Sequence, residues 1–60
     1  MNSFEKIKTL IAAIEADAQK CYEKGNRAAG TRLRKAYLEL KSLASAGRNE
    51  VTELKNSENK

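Results

Sequence analysis

The chain of 60 residues is long enough for one small domain only, because a protein of this length buries roughly 60% of the surface that its unfolded chain exposes. It has no His, no Trp and a single Cys, so it lacks the side chains that proton shuttling, zinc ligation and catalytic triads require. We therefore expect no enzymatic activity, no metal, no cofactor and no small-molecule substrate. A net charge of +4 and an isoelectric point near 9.5 favour an acidic partner.

The sequence also predicts a compartment. A single cysteine cannot form a disulfide within the chain, so nothing in the composition requires an oxidising environment. The longest apolar run, Leu10 to Ile14, has five residues, which is too short for the core of a signal peptide or for a transmembrane helix. We expect a cytoplasmic protein that does not enter a membrane.

Apolar residues in the first third recur at intervals of three and four, which is typical of an amphipathic helix. Asn2 followed by Glu5 has the spacing of a capping box. Lys24, Gly25 and Asn26 supply a basic last turn, a helix-ending glycine and the cap of a second helix. The first helix is predicted over residues 3–24 and the turn at 25–26, with a core-facing stripe at Phe4, Ile7, Ile11, Ile14, Ala18 and Cys21.

A second helix is predicted over residues 27–55, with residues 56–60 as a frayed tail that has no apolar side chain. Two alternatives stay open: a break at Gly30 with Thr31 as a cap, and a break at residues 46–49 that starts a short third helix. We favour continuity, because a glycine inside a helix is unfavourable by only about 1 kcal/mol relative to alanine. The predicted stripe of this helix is Leu33, Tyr37, Leu40, Ala44, Gly47, Val51 and Leu54, widened by Ala36 and Leu43.

A turn as short as Gly25 and Asn26 predicts that the two helices fold back on each other. The expected fold is therefore all-α, a single antiparallel helical-hairpin domain over residues 1–60. In a monomer the apolar stripe of each helix contacts only one neighbouring helix, so large side chains stay partly exposed to solvent. We expect two hairpins to pair into a dimeric four-helix bundle, in the manner of a short coiled coil, as a homodimer.

Basic residues recur every seven positions on and before the second helix. We call Arg27, Arg34, Lys41, Arg48 and Lys55 the basic row, and Lys20 precedes it at the same interval. Residues 24–35 contain five basic residues and no acidic one, so the positive charge is concentrated around the start of this helix. A solvated surface is one interpretation. Phosphate binding is the other, and it predicts a DNA-binding surface at Lys20, Lys24, Arg27, Arg32, Arg34, Lys35, Lys41 and Arg48.

The remaining side chains add little specificity to this surface. No helix-turn-helix, zinc-finger or ribbon motif is present to direct side chains into a groove. Phe4 and Tyr37 are predicted in the core, and Tyr22 alone cannot form a stacking platform for single strands. Cys21 is predicted to be a buried, inert thiol, and Gly30 permits either close helix packing or close approach of a phosphate. We therefore expect binding to the phosphates of a DNA duplex.

Acidic residues on the first helix offer a competing interpretation of the basic surface. Glu15, Asp17 and Glu23 are best read as solvated, but pairing of these carboxylates with the second helix would neutralise part of the basic surface. The preference between DNA and RNA, the groove used, and whether the protein compacts, bridges or coats DNA are not specified by the sequence.

The segment from Glu23 to Ala36, EKGNRAAGTRLRKA, resembles the signature of the bacterial linker-histone-like family typified by the chlamydial histone. The similarity extends over roughly residues 4–55. It implies a nucleoid-associated protein that binds DNA with little sequence preference and compacts the chromosome, with phosphate contacts at Lys24, Arg27, Arg32, Arg34 and Lys35. Chlamydial members continue into a long Lys-rich tail, whereas this sequence ends at Lys60.

Two other functions remain as alternatives. The apolar stripe is also suited to a helical protein-protein interaction module, in which the charge serves solubility. An amphipathic helix on an anionic membrane is disfavoured, because the apolar face has few bulky aromatic side chains and the charge is not confined to one face.

Overall fold

Local capping determines where the helices begin and end. In the computed structural model, which describes residues 2–58, the chain forms α1 (Ser3–Lys24) and α2 (Arg27–Glu58). The Asn2 side chain accepts a hydrogen bond from the Glu5 N–H at 2.9 Å and caps α1. Gly25 has φ of 64°, and the N–H groups of Gly25 and Asn26 close the last turn of α1 on carbonyls of that helix. Asn26 then caps α2 by accepting the Ala29 N–H at 3.0 Å.

The second helix is continuous through both positions where a break was an alternative. Thr31 does not act as a cap, because its hydroxyl donates to the Arg27 carbonyl at 3.2 Å inside the helix. The predicted end at Lys55 was too early, since α2 extends to Glu58. The part of the predicted frayed tail at residues 59–60 lies outside the described residues.

The two helices form an antiparallel hairpin that is 52 Å long and 15 Å across. The structure confirms the all-helical hairpin, whereas the core-facing stripes differ from the prediction. The buried apolar side chains are Ala29, Leu33 and Ala36, all on α2. On α1 the half-buried positions are Ile7, Leu10, Ile14, Asp17, Ala18 and Cys21.

Several large residues predicted in the core are exposed instead. Ile11 is 51% exposed and Tyr37 is 49% exposed, and Phe4, Val51 and Leu54 are more exposed still. The physical reason is width: the apolar stripe of each helix covers more of its circumference than one neighbouring helix can contact. Each helix therefore buries one edge of its stripe and leaves the other edge in solvent, on one common side of the hairpin.

Small residues allow the close approach of the helices near the turn. A Cβ built on Gly30 would lie 3.3 Å from the Cys21 sulfur, so Gly30 is a helix-packing glycine. Cys21 itself is half-buried, not fully buried as predicted.

A polar contact closes the opposite, open end of the hairpin. The Ser3 backbone N–H donates to a Glu50 carboxylate oxygen at 3.2 Å, and the Ser3 hydroxyl donates to the other oxygen. The carboxylate of α2 thus lies at the positive N-terminal end of α1. These hydrogen bonds lower the pKa of Glu50.

Neither helix, over the residues described, contains a stretch that is both long enough and apolar enough to cross a membrane.

Candidate nucleic-acid interface

The basic row lies along one exposed edge of α2. Arg27, Arg34, Lys41, Arg48 and Lys55 are all exposed. Seven residues are nearly two helical turns, so successive members lie on the same side, about 10 Å apart along the axis. Arg34 and Lys41 border a groove that also contains Tyr37, and Arg48 lines the next groove, which contains Phe4 and Val51. The row therefore follows the exposed apolar side of the hairpin.

The central members of the row have no acidic neighbours on their own helix. The positions three and four residues before and after Arg34, Lys41 and Arg48 hold no Asp or Glu. From Arg27 to Arg48, α2 carries six basic residues and a single acidic one, Glu39. Glu39 lines a groove on the other side of the hairpin, together with Lys6 and Leu10. Arg34, Lys41 and Arg48 therefore have no carboxylate one helical turn away on α2. By contrast, Glu50 lines the same groove as Arg48, and Glu15 of α1 lines a groove with Tyr37.

Arg32 differs from the other candidate residues because it has an internal partner. Its Nε and Nη2 donate to the two carboxylate oxygens of Asp17 at 2.9 and 2.8 Å. This is the single ion pair among the residues that the structure describes. The bond from Arg32 lowers the pKa of Asp17, and the same bond raises the pKa of Arg32. Pairing between the acidic residues of α1 and the basic residues of α2 thus occurs, but it involves Arg32 alone within the described region.

The other candidate residues do not form one surface with the row. Arg32 and Lys35 are two residues before and one residue after Arg34, so helix geometry turns them about 200° and 100° away from it. Lys20 and Lys24 are exposed on the last turns of α1, near the turn at Gly25. Helix geometry therefore brings Arg27, Arg34, Lys41 and Arg48 to one side of α2 and turns Arg32 and Lys35 away from it, while Lys20 and Lys24 lie on α1 close to the turn before Arg27.

Two tyrosines meet beside the basic row. The hydroxyls of Tyr22 and Tyr37 lie 2.7 Å apart and share a hydrogen bond between α1 and α2. That bond raises the pKa of Tyr22. Tyr37 and Leu38, with Arg34 and Lys41, line a groove of about 430 Å³. Sequence reasoning missed this pair because it placed Tyr37 in the core, and no local signal links two residues that lie 15 positions apart.

At the N-terminus of α2, among the described residues, the N–H groups of Arg27 and Ala28 have no acceptor within the chain, whereas the next two are already bonded. The Ala29 N–H donates to the Asn26 side chain, and the Gly30 N–H donates to the Asn26 carbonyl at 3.0 Å.

Within residues 2–58, no group of three or more Cys, His, Asp or Glu side chains is arranged to hold a metal ion.

Comparison with known proteins gives one match. Residues 1–57 match the family described as histone H1-like protein Hc1. No curated protein and no solved structure matches the chain. The family match covers nearly the whole chain and includes both helices, the turn and the basic row. This protein therefore belongs to the histone H1-like Hc1 family.

Proposed function

We propose that this protein binds double-stranded DNA in the nucleoid without sequence preference, through salt-dependent contacts between backbone phosphates and the basic row. Membership of a histone H1-like family supports DNA as the partner. The observation that carries the proposal is the exposed edge at Arg34, Lys41 and Arg48, where no Asp or Glu stands three or four positions away on α2. Arginine binds phosphate through a planar fork and lysine as a point charge, so both suit this partner.

The hairpin geometry favours affinity without base recognition. In a helix-turn-helix the second helix crosses the first at a steep angle and enters the major groove. Here the helices are antiparallel along the hairpin, and the basic row occupies one edge of it. Phosphate contacts position a protein on DNA but carry no direct sequence information. Two unrelated duplexes of equal length are therefore expected to bind equally well.

The row residues Arg27, Arg34 and Lys41 contribute most to binding in this proposal, and Arg48 contributes less, because it lines the groove assigned to the dimer contact. Lys20, Lys24 and Lys35 contribute through the overall positive field, because they lie off the row. Arg32 contributes least, since its guanidinium already binds Asp17.

A salt titration tests the proposal. If about five phosphates are neutralised, the logarithm of the affinity falls with the logarithm of salt concentration with a slope of about −4.5. The double variant Arg34→Gln with Lys41→Gln is expected to reduce that slope to about −2.7, because each lost contact changes it by about 0.9. The control is Lys6→Gln with Lys8→Gln, which removes the same charge from α1. Equal losses in both variants, or no duplex binding at low salt, would contradict the proposal.

The protein acts as a homodimer through the open-end part of the exposed apolar side of the hairpin. The chain exposes 5117 Å², whereas a compact folded monomer of 6.7 kDa exposes about 3,900 Å². The difference of roughly 1,200 Å² reflects the elongated shape of the hairpin, which leaves large apolar side chains exposed. Phe4, Val51 and Leu54 line a groove of about 620 Å³ at the open end, and they are the anchors of this pairing. Pairing of two hairpins there brings two basic rows onto one particle, which supports compaction of DNA.

The same apolar side supports a second candidate, a module that binds helices of another protein. The duplex titration separates the two candidates. A protein-interaction module has no affinity for DNA at low salt beyond that expected from its net charge, and neutralising the basic row does not change its affinity for the partner protein.

A further inference from the structure

Aromatic and cationic side chains lie together on the part of the hairpin nearer the turn. Tyr22 from α1 is 70% exposed and Tyr37 from α2 is 49% exposed, and their hydroxyls are joined at 2.7 Å. With Tyr37 expected in the core, Tyr22 alone could not form a stacking platform. In the structure both aromatic residues are at the surface, where their hydroxyl groups meet.

The groove beside Tyr37 combines the two features that bind single-stranded nucleic acid. It is lined by Tyr37 and Leu38 together with Arg34 and Lys41, all on α2. Leu38 is itself 68% exposed, so this side of the groove is open to an incoming ligand. Proteins that bind single strands pair cationic side chains for the backbone with aromatic faces for the bases. Bases of an intact duplex are stacked on each other, so only unpaired bases reach such a face.

We infer that the groove beside Tyr37 binds an unpaired nucleotide of single-stranded nucleic acid, with its base stacked on Tyr37 and its phosphate held by Arg34 and Lys41. The inference rests on the proposed function, because it uses the same two cations for phosphate. Tyr22 positions the Tyr37 ring through the shared hydrogen bond. Tyr37 lies on the same exposed apolar side as the dimer anchors, but it is 14 residues and about 21 Å along α2 from Val51, and the proposed dimer contact is at the open end.

The absence of Trp makes tyrosine fluorescence a direct probe, because the chain has only two tyrosines. Titration with an oligothymidylate is expected to quench this fluorescence to a plateau. Tyr37→Leu is expected to weaken oligothymidylate binding about tenfold, within the range of alanine substitutions at base-stacking aromatics, while duplex affinity stays within about twofold. Tyr37→Phe keeps the ring and is expected to retain binding. Thr9→Leu, at an exposed position of α1 that lines the groove with Lys6 and Glu39, is the control and is expected to change neither affinity.

The outcomes separate this inference from the proposed function. Duplex binding by the wild type without fluorescence quenching by oligothymidylate overturns the inference and leaves the proposed function standing. Equal weakening of single-strand and duplex binding in Tyr37→Leu also overturns it, as does unchanged oligothymidylate affinity in that variant. Circular dichroism of each variant establishes that the hairpin is folded. A wild type that binds neither nucleic acid overturns both proposals.

Discussion

The guanidinium of Arg32 forms two parallel hydrogen bonds with the carboxylate of Asp17, at 2.8 and 2.9 Å. The pair joins α1 to α2, with the Asp17 side chain 18% exposed and that of Arg32 54% exposed. An arginine held in this way is less available to an external phosphate than its neighbours on the same helix. From the sequence alone, Arg32 and Arg34 are equally good candidates for phosphate binding. The structure distinguishes them, because Arg32 has an internal partner.

The first prediction compares these two arginines. Arg34→Gln is expected to weaken duplex binding severalfold and to reduce the salt slope by about 0.9, because a phosphate contact is lost. Arg32→Gln removes the same charge but is expected to change the slope little and to lower the thermal stability of the hairpin. Fluorescence anisotropy with a labelled duplex at several salt concentrations gives the slopes, and thermal unfolding gives the stability. Equal slopes in the two variants would contradict this distinction.

The second prediction concerns the loss of stability at low pH. Hydrogen bonds lower the folded-state pKa of Asp17 and Glu50 below their ordinary values of 3.8 and 4.5. Each carboxylate therefore stabilises the hairpin fully above its unfolded pKa, and this stabilisation is lost as pH falls through the folded pKa. The unfolding temperature is expected to be level from about pH 7 to pH 5.5 and to decrease below about pH 4.5.

A double variant, Asp17→Asn with Glu50→Gln, provides the control for this pH dependence. It is expected to be less stable than the wild type at neutral pH and to lose less stability on acidification. An identical decrease in both proteins would assign the acid sensitivity to other carboxylates.

The third prediction contrasts two glycines. A Cβ built on Gly47 would meet the Ser3 Cβ at 3.6 Å, an ordinary contact, so Gly47→Ala is expected to stabilise the hairpin by about 1 kcal/mol through helix propensity. Gly25 has a positive φ of 64°, so Gly25→Ala is expected to destabilise it by roughly 1 kcal/mol although space is available. Urea unfolding measures both changes, and a destabilised Gly47→Ala would show that the helices cannot accommodate the methyl group.

The fourth prediction tests the homodimer. Val51→Lys with Leu54→Lys places charge in the groove at the open end and is expected to raise the dimer dissociation constant by more than about tenfold, since two apolar anchors are lost. Leu38→Lys introduces the same chemistry at another exposed leucine and is expected to leave the dimer intact. Sedimentation equilibrium over a range of protein concentrations measures the constants. A wild type that is monomeric throughout would contradict the homodimer.

The sequence predicted the helix ends better than the helix faces. Asn2, Gly25 and Asn26 act on neighbouring backbone groups, so their effect is local and readable. The position of the turn also predicts which residues face each other across the hairpin, because the numbers of two facing residues add to about 51. Cys21 faces Gly30, with a sum of 51, and Ser3 contacts Glu50, with a sum of 53.

The face of each helix could not be read in this way, because apolar residues occupy more of the circumference than the contact uses. The small residues Ala29 and Ala36 sit in the contact, where they allow close approach, while the larger Ile11 and Tyr37 remain outside it.

For the candidate site, the seven-residue interval was enough to place Arg34, Lys41 and Arg48 on one exposed edge. The Asp17–Arg32 pair depends on contact between the helices, and the sequence indicated only that such pairing was an alternative. Tyr22 and Tyr37 do not face each other across the hairpin, since their numbers add to 59. Their contact depends on the length of the two side chains and not on the register of the helices.

The unequal lengths of the two helices give the molecule a stepped end. α1 begins at Ser3, which contacts Glu50, so the last eight residues of α2, about 12 Å, project past it. The projecting end carries Val51 and Leu54, two of the apolar anchors of the proposed homodimer. Two copies paired there would present twice the number of positive side chains to a polyanion. The affinity for DNA would then increase with the number of weak contacts, and salt would still weaken each contact.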